Sequence, residues 1–308
     1  MFNIRGGHTF MDEQFNRTKG FSEILDHTFQ LIKNYFSPFF LIFLFILGPV
    51  FLLEAILLLV TGTGFFRQLG IGSNTFEQII MGFDEDVFVQ ATAITNLATF
   101  ATLVLIPLST ISIILAIQKI KDGESFTAGS IIKQAAKRFG AVLGSSIIVG
   151  IIFFAVLVAS IMIIVIPSVV IANDSPVFGV LFGIGLFLII GLLTALWFSR
   201  WGFYIAAVFY KKSFPGIGYS WSLTKKHTWR IFGLFLIIGL ITSIISGAIS
   251  GLFGAILGNS VLFSIITSLV TILTYMISAV AYAVIYFDLE LRHGGDELQD
   301  MIDDYQNN

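Results

Sequence analysis

The chain has 308 residues, 56% of them hydrophobic and 12% charged, with a mean hydropathy of +0.93, a formal net charge of −2 and no cysteine. Soluble domains carry about a quarter charged residues, so this composition excludes an ordinary water-soluble fold and indicates an integral membrane protein. The charge balance gives no basis for nucleic-acid binding, the missing cysteines exclude disulfides, thiolate catalysis and cysteine-ligated metals, and no P-loop motif occurs.

Residues 1–20 read as a polar leader carrying Arg5, Arg17 and Lys19, without the apolar stretch of a cleaved signal peptide. From Phe21 the spacing predicts an amphipathic helix. Phe21, Leu25, Phe29, Ile32 and Phe36 form its apolar stripe, and Glu23, Asp26, His27, Gln30, Lys33 and Asn34 share the opposite face. Ser37-Pro38 should break this helix and open a first span of about Phe39 to Thr61, with Gly48-Pro49 near its middle. Residues 62–90 form the one sizeable far-side connection, with an expected short helix at Thr75 to Met81 and the acidic cluster Asp84, Glu85, Asp86. A second span of about Ala91 to Ile117 carries Pro107 at a depth like that of Pro49, so both helices of this hairpin are expected to bend at one level.

The pattern recurs at Ala128 to Ile148. Ala128, Ile131, Ile132, Ala135 and Phe139 make a stripe, Lys133, Lys137 and Arg138 lie off it, and Gly140 opens an apolar run. The third span covers about Val142 to Ile166, Asn173-Asp174-Ser175-Pro176 makes the turn, and the fourth span runs from about Val177 past Trp197 toward Tyr210. A weaker third copy starts near Tyr219, followed by a fifth span of about Ile231 to Ile256, the tight link Gly258-Asn259-Ser260 and a sixth span of about Val261 to Tyr286. Gly294-Gly295 should end the last helix and leave an acidic tail, 294–308.

Phe36, Phe139 and Trp229 set the copies in register, 103 and 90 residues apart, which suits a transmembrane hairpin with its lead-in helix. The expected fold is an all-α membrane protein of six transmembrane helices in three hairpin repeats, about 21–120, 125–212 and 219–293, within one domain, 21–293. Each hairpin is preceded by a cytoplasmic interfacial amphipathic helix. Of the 17 Lys and Arg, four precede the first span, five lie between Lys119 and Arg138, five lie between Lys211 and Arg230, and Arg292 follows the sixth span. Arg67 alone falls in a far-side loop, and Arg200 sits near the end of the fourth span. By the positive-inside rule both termini and all three amphipathic helices face the cytoplasm.

A carboxylate within a span is expensive unless paired, which singles out Glu54. Asn96, Thr95 and Thr99 enter the second span at a comparable depth, so a Glu54 to Asn96 contact is expected, with Gln90 near. Such a site could relay a proton or bind a cation beside carbonyls freed by Pro49 and Pro107; the plainer reading makes Glu54 a structural hydrogen-bond partner or an outward snorkeller. Arg200, between Trp197 and Trp201, reads as a snorkelling arginine in an aromatic belt, or with Lys211, Lys212, Lys225 and Lys226 as a lipid-phosphate contact. Gly179-x-x-x-Gly183, Gly247-x-x-x-Gly251 and Gly254-x-x-x-Gly258 allow close helix approach, expected within the monomer rather than at a dimer seam. Asp84, Glu85 and Asp86 suit a helix N-terminus better than a divalent cation. The four histidines show no paired spacing, and no Ser-elbow or paired-carboxylate motif occurs, so neither catalytic residues, metal nor cofactor are expected.

Three stretches carry a family resemblance: Gly20-x-x-Glu23-Ile24-Leu25-Asp26-x-x-Phe29; Tyr219-Ser-Trp-Ser-Leu223 with Trp229-Arg230; and Tyr286-Phe-Asp-Leu-Glu-Leu-Arg292 with Gly295-Asp-Glu-Leu298. In these the chain resembles a bacterial family of multi-spanning proteins labelled as the membrane domain of glycerophosphoryl diester phosphodiesterases. The resemblance implies a module of about six helices, in some relatives fused to a phosphodiesterase and in many standing alone. Glu290 departs from it, since such sequences commonly carry a basic residue there, and nothing in the chain could form the catalytic barrel. The expected function is therefore a non-catalytic anchor, scaffold or lipid-interacting module of the bacterial cytoplasmic membrane. Its expected partners are membrane lipids, anionic at the cytoplasmic face, and an unidentified membrane protein, with no nucleic acid. A transporter or export component for a small solute, lipid or peptide, using Glu54, is the alternative.

Overall fold

The computed structural model describes residues 17–67 and 85–307, and the side chains of 17–67 and 92–295. The described residues contain no strand, and six of their helices are long and apolar enough to cross a membrane. In chain order the helices are α1 (Phe21–Asn34), α2 (Phe36–Val60), α3 (Glu85–Lys121), α4 (Ala128–Ala136), α5 (Phe139–Asp174), α6 (Pro176–Trp201), α7 (Tyr204–Lys211), α8 (Ile217–Thr224), α9 (Thr228–Leu257) and α10 (Val261–Asn307). The expected helix at Thr75 to Met81 and Asp84 lie outside the described residues. Glu85 and Asp86 open α3.

The described chain falls into two compact units. The first joins the described parts of Leu25–Ala136 with Ile237–Ala283, and the second joins Lys137–Leu236 with the described parts of Phe10–Ile24 and Val284–Asn308.

Helix α1 starts where Gly20 N–H donates to Glu23 Oε2 at 2.6 Å, one half of a capping box. That bond, reinforced by Arg17 at 3.1 Å, holds the Glu23 carboxyl below the usual carboxylate range. A depressed pKa stabilises the folded cap above the ordinary carboxylate range, and the contribution disappears as pH falls through the lowered value. Amide-exchange protection over Phe21–Leu25 should therefore persist at mildly acidic pH and decline only below the ordinary glutamate range. Ile24, His27, Thr28 and Leu31 are the buried side of α1, whereas Phe21, Phe29 and Phe36 are exposed. The buried face is thus rotated from the expected stripe, because the branched and mid-sized side chains pack inward and the phenylalanines point out.

The break into α2 comes at Tyr35, two residues earlier than expected, and Pro38 sits buried in the first turn, where its missing N–H has no helical partner to lose. Phe39, Ile42, Phe43, Ile46 and Leu47 bury one face of α2 at helical spacing. In the first unit α2 pairs with α3, whose Ser109–Ile117 stretch is buried all round, and α4 packs across both through Ile131 and Ala135. Thr127 and Ser130 cap α4 reciprocally, each backbone N–H donating to the other's hydroxyl at 3.3 Å. The 61–67 turn is tied to the end of α9 and the start of α10 by three bonds. Val261 N–H donates to Gly64 O, Leu262 N–H to Phe65 O, both at 3.1 Å, and Arg67 donates to Ala255 O at 3.0 Å.

In the second unit α5 and α6 form a hairpin with only Ser175 between them, a tighter turn than the four residues expected. The fourth span does not continue unbroken to Tyr210. Its helix is interrupted at Gly202 and Phe203 within the apolar stretch Pro176–Lys211, and the Ser220 hydroxyl, donating to Arg200 O at 2.7 Å and accepting from Phe203 N–H at 3.1 Å, satisfies the opened backbone before α7 begins. Phe203, the Ile205–Val208 segment, Leu223 and Tyr286 form this unit's core, with Phe203 and Phe235 stacked at 5.7 Å and Tyr210 and Tyr286 at 5.9 Å. Gly294-Gly295 does not end α10, which runs on to Asn307. Two glycines cost a helix only about 1 kcal/mol each, and good helix formers flank them on both sides.

Candidate functional site

Glu54 lies six residues before the end of α2, about 9 Å in at 1.5 Å per residue. It is 7% exposed and belongs to the first unit, where Ala55, Leu58 and Val261 pack into an apolar cluster flanked by Ile94 and Ile265. Leu58 of this cluster lines a cavity of about 280 Å³ together with Glu54. The rest of the described lining is polar apart from Phe263. Thr92, Thr95 and Asn96 come from α3, Thr63 from the 61–67 turn, Asn259 and Ser260 from the link after α9, and Phe263, Ser264 and Thr267 from α10. The hydroxyls of Thr95 and Ser264 are the polar neighbours of the Glu54 carboxylate, and no ion pair reaches it among the described residues.

The expected constellation is therefore partly assembled. Thr95 contacts Glu54 directly. Asn96 lines the same cavity, but the neighbours of the carboxylate are hydroxyls rather than its carboxamide. Thr99 takes no part, since its hydroxyl donates to Thr95 O at 2.8 Å on its own helix. Neither Pro49 nor Pro107 lines the cavity. Gln90 lies on α3, outside the described side chains. Sequence reasoning missed Ser264, although Ser260, Ser264, Thr267 and Thr271 follow one another at helical spacing in a span with no other reason to be polar.

The expected lipid-phosphate residues do not form one group. In the second unit the Arg200 guanidinium lies over the Trp221 ring, 3.6 Å from its centroid. Lys211 pairs with Glu290 at 3.1 Å and sits 5.5 Å from the centre of the Tyr219 ring. Lys212 adopts a left-handed φ of 55° after α7, and Lys225 and Lys226 are exposed at the turn before α9. An exposed pair such as Lys211 and Glu290 is worth 1 kcal/mol at most and is screened by salt. Glu290→Gln should accordingly shift the melting midpoint little, and the shift should vanish in high salt.

The same unit contains a denser ionic cluster that sequence reasoning overlooked. Asp288 on α10 is 1% exposed and accepts from Lys19 N–H at 2.7 Å, from Arg292 Nε at 3.0 Å and from Arg230 at 3.3 Å. Both arginines also donate to Lys19 O, Arg292 at 2.7 Å. Residues 19, 230, 288 and 292 thus meet at one buried carboxylate. Only the Asp288 and Arg292 spacing of four residues was visible in sequence.

The glycine pairs behave differently from one another. A Cβ on Gly179 would fall 2.5 Å from Ala172 Cβ and 2.6 Å from its Cα, and one on Gly183 would fall 2.9 Å from Ser168 Oγ, so this pair holds α5 and α6 at close approach. Gly254 meets the Phe263 ring at 3.4 Å, and Gly258 takes a φ of +55° beside Arg67. Gly247 and Gly251 have nothing within 4 Å, which corrects the expectation that this pair packs within the monomer. Small size permits an approach but does not supply the neighbour. Among the described residues no cluster of three or more His, Asp or Glu could hold a metal ion. In comparisons with known proteins, no family model, no curated protein and no solved structure matches the chain.

Proposed function

We propose that the chain is a non-catalytic multi-pass module of a bacterial cytoplasmic membrane that works as an anchor, scaffold or lipid-interacting partner. In this reading its spans form three hairpin repeats, each led by an amphipathic helix at the cytoplasmic surface, with both termini in the cytoplasm. It also keeps the resemblance to the membrane domain of glycerophosphoryl diester phosphodiesterases, without that activity. The observation that carries it is the surface before α9, where Trp221 and Trp229 are 37% and 66% exposed beside the exposed Lys225 and Lys226. Indole rings and lysines together are the composition of a membrane–water interface facing anionic headgroups. The outward Phe21, Phe29 and Phe36 of the first amphipathic segment support the same placement. The distribution of Lys and Arg supports the orientation.

Each lysine near an anionic surface contributes about 1 kcal/mol, so the pair should favour anionic over zwitterionic lipid by roughly 30-fold. In vesicles with brominated tail lipids, Trp229 fluorescence should be quenched more strongly by phosphatidylglycerol than by phosphatidylcholine, and Lys225→Glu with Lys226→Glu should erase the difference. Equal quenching by the two lipids in the wild type would contradict the reading.

A second reading, a transporter or export component for a small solute, lipid or peptide, is favoured by the polar cavity around Glu54. Proteoliposome flux, compared between wild type and Glu54→Gln, tests it.

A further inference from the structure

We infer that the Glu54 cavity binds a small organic cation carrying a protonated primary amine. The inference deepens the second reading by naming the ligand class, but it requires binding at Glu54 and not passage across the membrane.

The charge of the site sets the ligand's sign. A carboxylate buried at this depth is costly without a compensating charge, and Glu54 has only hydroxyl partners among the described residues. Among the described residues no Lys, Arg or His lines the cavity, so an anionic group on the ligand would find no counter-charge there. The donor set sets the ligand's chemistry. Thr95 and Ser264 place hydroxyl oxygens beside Glu54 on the cavity wall, and each hydroxyl carries lone pairs that can accept. Asn96 and Asn259 add amide oxygens. An ammonium group has three donors and no acceptor, and so matches a carboxylate ringed by acceptors.

Size separates this ligand from a bare metal ion. A cavity of about 280 Å³ has room for about nine waters at ~30 Å³ each. A dehydrated monovalent ion needs a close shell of oxygens, and a divalent ion draws on several carboxylates where the described lining offers one. An amine with a short carbon chain would fill the space instead, its ammonium at Glu54 and its apolar part against the Phe263 ring, which also offers a cation–π face. The ligand has an entrance, because Thr92, Thr95 and Asn96 are exposed on α3 while Glu54 is buried behind them.

The test is calorimetric titration of the full chain in detergent with ethylammonium chloride, sodium chloride and tetramethylammonium chloride at constant ionic strength. Saturable heat with ethylammonium alone is expected. It should weaken at least tenfold in Glu54→Gln and several-fold in Ser264→Ala with Thr95→Val, while Thr99→Val, whose hydroxyl serves its own helix, leaves it unchanged. The Ser264 and Thr95 variants keep the carboxylate and so decide the matter if Glu54→Gln fails to fold. Ethylammonium binding that survives both sets of changes, an equal Glu54-dependent response to sodium, or no saturable heat from the folded wild type would each overturn the inference. Glu54-dependent binding without flux in proteoliposomes would uphold it and remove the transport reading.

Discussion

Asp288→Ala should destabilise the second unit by about 3–5 kcal/mol, the range for removing one partner of a buried ionic network. The alanine would leave Arg230 and Arg292, which are 21% and 23% exposed, without the counter-charge of Asp288, and would leave the Lys19 N–H without this acceptor. Removing a cation instead should cost less. Arg292→Met leaves Asp288 with the Lys19 N–H and Arg230, so one charged partner and one backbone donor remain. The order Asp288→Ala worse than Arg292→Met worse than Glu290→Gln, read from melting midpoints in one detergent, would identify the buried carboxylate as the organising centre. If Asp288→Ala melted like the wild type, the cluster would be incidental to stability.

Gly179→Val should be the next most damaging single change. Its Cβ would be driven against Ala172 Cβ at 2.5 Å, Cα at 2.6 Å and N at 2.7 Å, and two of these are backbone atoms that move only if one helix shifts. Overpacking of this kind costs about 1–3 kcal/mol. Gly247→Ala and Gly251→Ala provide the contrast. Nothing lies within 4 Å of the added methyl at either site, so each should be neutral or gain up to about 1 kcal/mol of helix propensity. A destabilising effect at Gly247 or Gly251 would point to a second copy or another protein seated on that face of α9.

The six apolar helices were legible in sequence because a span needs about twenty apolar residues and little else supplies them. Their limits were less legible. Tyr35 rather than Ser37 starts the first break, and α10 overrides Gly294-Gly295, because local stop signals are worth only about 1 kcal/mol each. Glu54 and Thr95 were visible because charge and hydroxyl groups stand out in hydrocarbon. Asn96 reached the right cavity without the expected contact, and Thr99 did not, because one turn of helix separates lining a cavity from facing away. Ser264 comes from a helix 210 residues beyond Glu54, and Lys19 lies 269 residues from Asp288; no local periodicity links such pairs. Arg200 and Lys211 looked available for lipid phosphate, but one lies over Trp221 and the other pairs with Glu290, both partners set by the fold.

The membrane arrangement proposed here is tested most directly by site-specific cysteine labelling, since the native chain has no cysteine to confuse the signal. Ser130→Cys, Ser222→Cys and Asn173→Cys place single exposed thiols in the first turn of α4, in α8 and at the end of α5. A membrane-impermeant maleimide added to intact bacterial cells should label position 173 and reach positions 130 and 222 only after the cells are opened. Labelling of position 130 or 222 from outside would contradict the three-hairpin topology, and with it the cytoplasmic placement of the basic and aromatic surface.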